Sequence, residues 1–296
     1  MIKKILKHIQ SIYISYNTNK IAKDKERIIR EFYNNGQIPW SEGYWEHKRE
    51  NINASITDLN ILKEFVDKKI SQNYGYRIDE RIVEYPWIFS RLSKEYSVIL
   101  DAGSTFNFDF IVQNELIREK DLTIYTFYPE ADCFFKNRIN YVFGDLRELY
   151  FKDNTFDEVV SQSTIEHIDM DNSIYGYEES NSSSKSFEYL KAVDEMIRVL
   201  KPGGKLLITI PYGKYEYHGF FQQFDDDMLN KLLLLFNNKG VFETDFFKYE
   251  KSGWRFAIKE ELSDTQSYNP HTGNGKLDDG AAHCRSVACI QFVKNK

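Results

Sequence analysis

The sequence predicts an α/β protein with a doubly wound, mostly parallel sheet of seven strands, preceded by an amino-terminal helical extension. Three observations predict it. The run Val98-Ile-Leu-Asp-Ala-Gly103 is apolar and ends in acid-x-glycine, the pattern of a buried parallel strand that turns tightly into a helix. Beyond it, strand and helix signals alternate to the end of the chain, as in sheets joined by helical crossovers. Near residue 200 an amphipathic helix stops at Lys201-Pro-Gly-Gly204 and an apolar run follows at once, since proline and paired glycines end helices.

The elements follow in order. Residues 1–34 carry Lys3, Lys4, Lys7, Lys20, Lys23, Lys25, Arg27 and Arg30 against Asp24, Glu26 and Glu31. Ile2, Ile5, Leu6 and Ile9 fall at helical spacing, so this basic arm is either a solvated helix or an amphipathic one able to rest on an anionic membrane or a partner. Residues 36–45, Gly-Gln-Ile-Pro-Trp-Ser-Glu-Gly-Tyr-Trp, break the helix and bunch large rings; they either pack the arm onto the main domain or form a lid. From Ile52 to Phe89 the pattern is helical, with Leu62, Phe65, Val66 and Ile70 on one face. The chain thus divides into an extension and lid over 1–90 and an α/β domain over 91–296. Strands are expected at Leu122–Tyr128, Tyr141–Phe143, Phe156–Ser161 and Lys205–Pro211, then near Val241–Tyr249 and Ser286–Val293. Helices are expected along Phe187, Leu190, Val193, Ile197 and Leu200, and near Asp226–Asn237; the serine-rich piece Ser180–Ser186 is a loop.

Composition narrows the function. With 296 residues, 42% of them apolar, the chain can bury a large core. Its net charge of −6 argues against a general nucleic-acid binder, which needs a basic surface. Cys133, Cys284 and Cys289 are too few and too unevenly spaced for a disulfide framework or a zinc site, which fits a reducing cytoplasm. No apolar run is long enough for a membrane span or a secretory signal, so a soluble, cytoplasmic protein is expected.

From about Tyr96 to Val293 the chain resembles the class I S-adenosylmethionine-dependent methyltransferases. Val98-Ile-Leu-Asp-Ala-Gly-Ser104 is similar to the first motif of that family. Phe143-Gly-Asp145 with Phe156-Asp-Glu-Val-Val160 resembles the adenine-side strand and the strand after it. Thr164-Ile-Glu-His-Ile168 resembles the segment beyond that strand, and Met196-Ile-Arg-Val-Leu-Lys-Pro-Gly-Gly-Lys-Leu206 is the most recognisable text. Their shared order is what makes weak motifs informative. The resemblance implies a Rossmann-like methyltransferase fold with S-adenosylmethionine as cofactor. It implies a cofactor site at Asp101, Gly103, Ser104, Thr105, Asn107, Glu130, Asp145, Leu146 and Ser161. Asp101 would be free to accept hydrogen bonds from the ligand, and Gly103 would let the main chain approach it. Thr105 and Asn107 stand where the family usually has glycines, which opens the alternative of a methyltransferase-like binding module without activity. Asparagine tolerates unusual backbone angles, and a hydroxyl can bond a ligand carboxylate.

Methyl transfer from a sulfonium is an in-line displacement, so orientation supplies much of the acceleration and catalytic residues can be few. For an oxygen or nitrogen acceptor, His167, just beyond the fourth strand, is the first candidate base, with His218 and His283 as competitors. The acidic groups Asp225–Asp227 and Asp169 to Asp171 fit a helix start and a solvated loop, so no metal is expected. Substrate choice falls to insertions near 169–186 and 250–285, the latter with Trp254, Arg255 and Tyr268. Polar, aromatic, arginine-bearing loops suit a polar small molecule. The expected acceptor is a hydroxyl, less favoured a nitrogen, and similar methyltransferases often act on activated sugars or other bacterial surface-polysaccharide precursors. A nucleotide-sugar or phosphorylated substrate follows from that resemblance.

Overall fold

A computed structural model describes residues 20, 22–173 and 184–296. Most of the basic arm, with Ile2, Ile5, Leu6 and Ile9, and most of the Ser180–Ser186 piece lie outside the described residues. Residues 22–34 are helical.

The sheet is built from β1 (Val98–Ala102), β2 (Asp121–Thr126), β3 (Asn140–Phe143), β4 (Phe156–Gln162), β5 (Leu200–Pro211), β8 (Gly240–Glu250), β9 (Gly253–Ala257) and β10 (Ser286–Lys294). Between β5 and β8 lies a two-stranded hairpin, β6 (Glu216–Tyr217) and β7 (Gln222–Gln223). The order in the sheet is β3-β2-β1-β4-β5-β10-β8-β9. Strands β3 to β5 run parallel, and β10 lies antiparallel between β5 and β8. The doubly wound, mostly parallel reading holds, with eight strands instead of seven.

The extra strand is β9. Its Trp254-Arg-Phe256 stretch falls in the piece read as a substrate insertion, but it pairs antiparallel with β8 from Phe246↔Ala257 to Glu250↔Gly253. Gly253 closes this hairpin with φ 125°, and a Cβ there would meet the Tyr74 carbonyl oxygen at 2.4 Å, so only glycine fits. Trp254 is buried and donates its indole N–H to the Ile78 carbonyl at 2.9 Å.

Alternation along the central strands feeds two cores, because successive side chains of a strand point to opposite faces. Ile99, Val160, Leu207 and Val287 pack against the amino-terminal helices α1 (Tyr44–Thr57), α2 (Leu59–Val66) and α3 (Arg81–Phe89). Leu100, Val159, Ile208 and Ala288 pack against α6 (Tyr189–Val199) and α7 (Asp226–Leu234). Two single-turn helices, α4 (Asp109–Val112) and α5 (Glu115–Arg118), join β1 to β2. The helical extension therefore covers one face of the sheet. Val66 is exposed and Ile70 lies past the end of α2, so the apolar face expected there reduces to Phe65 and its partly buried neighbours.

Lys201-Pro-Gly-Gly204 ends α6 at Val199, but β5 begins at Leu200 and the four residues bulge out of it. The β4–β5 register moves from Phe156↔Leu200 to Glu158↔Lys205 across them. A Cβ at Gly204 would lie 2.9 Å from the Asp157 carbonyl oxygen, the close approach that the bulge needs. Among the described residues no helix is long and apolar enough to cross a membrane.

Candidate functional site

The carboxyl ends of β1, β2, β3 and β4 border a cavity of about 1010 Å³. Parallel strands point their carboxyl ends into such crevices, where ligands of open α/β sheets sit. This cavity is at the upper end of the size range for small-molecule sites.

The first wall is the turn after β1. Gly103, Ser104 and Thr105 line it. Gly103 has φ 133°, and a Cβ there would meet Thr164 Oγ1 at 2.1 Å, so the glycine lets the β1 turn lie against the segment leaving β4. Ser104 takes a left-handed φ of 61°. Its hydroxyl is buried and has no partner among the described residues.

Asp101 differs from the sequence-based expectation. It is fully buried, and its carboxylate accepts from Phe106 N at 2.7 Å, Thr105 N at 3.2 Å and Thr105 Oγ1 at 3.1 Å. Its oxygens hold the turn in place, and it does not line the cavity. Burial pushes its carboxyl up to about 7, against the opposing effect of those hydrogen bonds. Asn107 is likewise buried and off the wall. Its amide donates to Glu130 Oε2 at 2.7 Å and to the Asp132 carbonyl at 3.0 Å, and its oxygen accepts from the Tyr141 hydroxyl at 2.9 Å. Of the two residues that replace the usual glycines, Asn107 thus cross-links the turn to the segment after β2, and Thr105 ties the turn to Asp101.

The second wall follows β2 and β3. Phe127, Tyr128 and Glu130 line it after β2, and Asp145, Leu146 and Arg147 after β3. Arg147 donates to Asp145 Oδ2 at 2.6 Å from Nη2 and at 3.0 Å from Nε. Burial pushes Asp145 upward, but these bonds hold its carboxyl below the ordinary value.

The third wall is the segment after β4. Ser163, Thr164 and His167 line it together with Met170 and Asn172. Ser161, two residues earlier, is fully buried inside β4, since that strand runs to Gln162, and the cavity takes Ser163 instead. His167 sits in a single 3₁₀ turn, Ile165–His167. Its Nδ1 lies 2.7 Å from the Phe220 carbonyl, and burial lowers the imidazole to about 4. His218 does not reach the cavity. Its ring stacks on Phe221, centroids 4.5 Å apart, with Nε2 3.5 Å from Glu216 Oε2. His283 also lies off the wall, with Nδ1 3.1 Å from Glu80 Oε1.

Sequence reading missed Arg81 and Tyr85, which α3 presents one turn apart to the same cavity. Arg81 Nη1 donates to Glu84 Oε2 at 2.8 Å, and Glu84 Oε1 accepts from the Ser163 hydroxyl. Tyr85 donates its hydroxyl to the Thr105 carbonyl. The i, i+4 spacing was a signal, but the partners lie across the fold. The 36–45 loop packs the extension: Trp40 Nε1 donates to the Ala282 carbonyl at 2.6 Å, and no residue of this loop lines the cavity. Residues 250–285 line none of it either. Arg255 pairs with Glu250 and Glu261, and the side chain of Asn269 holds the His218 carbonyl at 3.1 Å.

Residues 126–208 match a family model described as a methyltransferase domain. That span runs from the end of β2 into β5 and holds most of the second and third walls. The match covers less than half of the chain and shows a methyltransferase domain there. No curated protein sequence matches it. Solved structures similar to it include the Burkholderia thailandensis 1,6-didemethyltoxoflavin-N1-methyltransferase with bound 1,6-didemethyltoxoflavin and S-adenosylhomocysteine. That pair shares 14% identity over 68% of this chain and 72% of the other, with a TM-score of 0.40. A Thermotoga maritima methyltransferase described as a possible histamine N-methyltransferase shares 12% identity over 91% and 99%, TM-score 0.44. The N-methyltransferase NodS of Bradyrhizobium japonicum, solved with S-adenosylhomocysteine, shares 12% over 84% and 99%, TM-score 0.41.

Proposed function

We propose that this chain is a class I S-adenosylmethionine-dependent methyltransferase that methylates a hydroxyl of a polar small molecule, with His167 as the proton acceptor. The observation that carries the reading is His167 itself: an imidazole on the cavity wall whose Nδ1 faces a carbonyl oxygen at 2.7 Å. A carbonyl only accepts, so Nδ1 carries the hydrogen and Nε2 keeps its lone pair. An imidazole lowered to about 4 is neutral at cytoplasmic pH but is a weak base. That suits oxygen better than nitrogen. A hydroxyl becomes a far stronger acid than imidazolium as the new C–O bond forms, so even this ring can take its proton, whereas a methylated ammonium would not give one up to it.

When bound, the cofactor supplies an electrophilic methyl carbon on a sulfonium. The chain's own residues fit it: Ser104 offers a buried hydroxyl with no partner among the described residues, and Glu130, on the neighbouring wall and oriented by Asn107, can take ribose hydroxyls. Asp145 and Leu146 would border the adenine, and Arg81, beside the Ser104–Thr105 turn, supplies a cation suited to the amino-acid carboxylate. Asp101, Thr105 and Asn107 act through the shape of the turn; Ser161 and His218 have no place in this arrangement.

Within this reading the acceptor is a hydroxyl-rich molecule of the sugar type, as the polar wall of His167, Asp169 and Asn172 suggests. A phosphorylated or nucleotide-linked form has less support, because Arg255 is paired away from the cavity. We place the reaction in the cytoplasm, which suits three free cysteines. Calorimetric titration with S-adenosylhomocysteine tests the cofactor half, and mass spectrometry of the product formed from hydroxylated or amino acceptors tests the other. Transfer to amines alone would overturn the hydroxyl assignment.

A further inference from the structure

Away from the cavity, three donor atoms of three kinds converge. Glu80 immediately precedes α3, and His283 and Cys284 lie three and two residues before β10 begins. His283 Nδ1 lies 3.1 Å from Glu80 Oε1 and 3.2 Å from Cys284 Sγ, and one atom from each residue falls within 4.8 Å of the other two. Glu80 and Cys284 are buried, and His283 nearly so.

We propose that Glu80, His283 and Cys284 bind a divalent cation of the zinc class, a site separate from methyl transfer and independent of that reading. Ligands at about 2.0–2.3 Å from a tetrahedral zinc ion stand roughly 3.3–3.8 Å apart; two of the separations here are 3.1 and 3.2 Å and the third is within 4.8 Å, so small shifts would seat the ion. A carboxylate, an imidazole and a thiolate together favour a borderline-soft ion over magnesium or calcium, which take oxygen alone. The carboxylate is already oriented: the Cys284 backbone N–H donates to Glu80 Oε2 at 3.2 Å and leaves Oε1 toward His283. Second contacts of this kind fix a ligand's direction.

Charge bears on the cluster: Arg81 pairs with Glu84 and also acts on Glu80 from a distance, and Lys48 pairs with Asp79. A buried carboxylate calls for compensation, which a divalent ion would supply. Burial and the facing Glu80 push the Cys284 thiol well above its ordinary value, so in the metal-free chain it stays protonated. Binding therefore breaks the S–H bond, forms a metal–sulfur bond and releases that proton to solvent; the hydrogen that His283 Nδ1 turns to Glu80 Oε1 leaves as well, to solvent or to Nε2, so that the ring coordinates through Nδ1 as a neutral imidazole. Three protein ligands leave a fourth position for water.

The test uses the full chain, prepared without chelator, and Co²⁺ and Zn²⁺ as probes. One equivalent of Co²⁺ should bind and give a thiolate-to-cobalt charge-transfer absorption, which Zn²⁺ should then displace. Cys284→Ser should abolish the absorption, and His283→Ala should weaken binding at least 10-fold, while Cys289→Ser, at another buried thiol, should leave both unchanged. Should Cys284→Ser fail to fold, the absorption of the native chain still decides the matter. No stoichiometric binding, binding without the charge-transfer band, or a band that survives Cys284→Ser would each overturn the site.

Discussion

His167 lies under Phe220, with the two rings 5.7 Å apart and 27° from parallel and with Nδ1 2.7 Å from the Phe220 carbonyl. Phe220 belongs to the turn between β6 and β7, and that turn is held in turn by the side chain of Asn269 on the His218 carbonyl. One backbone carbonyl thus fixes the tautomer and direction of the candidate base. His167→Ala should lower turnover by about 10²-fold or more and leave S-adenosylhomocysteine affinity unchanged. Near-normal turnover in that variant would make His167 structural.

The same burial predicts a pH profile. A group lowered to about 4 is neutral at every pH above that value, so the His167-dependent limb of kcat should fall only as pH drops toward 4. Between about pH 5 and pH 8 that limb should be flat. An inflection near the ordinary histidine value of about 6.5 would show that the ring is better solvated than its surroundings indicate, or that another base acts.

Gly103 is the tightest packing point of the site. Gly103→Ala should destabilise the protein by about 1–3 kcal/mol, since its methyl would meet Thr164 and its φ of 133° is unfavourable to an L side chain. Urea unfolding measures this. Thr164→Gly in the same chain should recover part of the loss, and a fully tolerated Gly103→Ala would mean that the two turns do not touch in this way.

The contrast between what sequence reading found and missed has a physical basis. β1, β4 and β5 were legible because strands buried on both faces read as continuous apolar runs, and the turns after them carry their own glycines or polar residues. β9 was not: an edge strand with Arg255 between aromatic residues resembles a decorated loop until its partner β8 is known. At the site, Gly103, Ser104, Thr105, Glu130, Asp145, Leu146 and His167 lie on the cavity wall because each follows a strand's carboxyl end. Asp101, Asn107 and Ser161 do not, since spacing alone cannot say whether a polar side chain turns to the ligand or back into its own turn. Arg81 was illegible for another reason. Its role depends on Glu84, Ser163 and the Ser104 turn meeting in space, contacts that no local pattern encodes.

Asp101 gives a stability prediction with a definite sign. Its carboxyl is raised from an ordinary 3.8 to about 7, so between those values the folded state holds a proton that the unfolded chain releases. Its contribution is fully present below about 4 and is lost as pH rises through about 7. Unfolding of the native chain, compared with Asp101→Asn, should therefore show stability falling from about pH 4 to pH 7 in the native chain alone. The opposite slope would mean that the hydrogen bonds from Thr105 and Phe106 outweigh burial and keep the group ionised.

The last prediction separates cofactor contacts from residues that shape the turn. The Ser104 hydroxyl is buried on the cavity wall with no partner among the described residues, so removing it costs the fold no bond. Ser104→Ala should change unfolding free energy by no more than about 0.5 kcal/mol, the range for sites without a structural role. If the hydroxyl meets the cofactor, the same variant should weaken S-adenosylhomocysteine binding roughly 3- to 10-fold, the worth of one hydrogen bond of about 0.5–1.5 kcal/mol. Thr105→Gly and Asn107→Gly should behave differently. They restore the glycines usual in the methyltransferases that the chain resembles, yet they remove the ties to Asp101 and to Glu130 and Tyr141. Both should lower stability, and Asn107→Gly should also weaken cofactor binding by freeing Glu130. Tighter binding after those changes would instead mark the native turn as a damaged cofactor site, and unchanged binding in Ser104→Ala would take that hydroxyl out of the cofactor's reach.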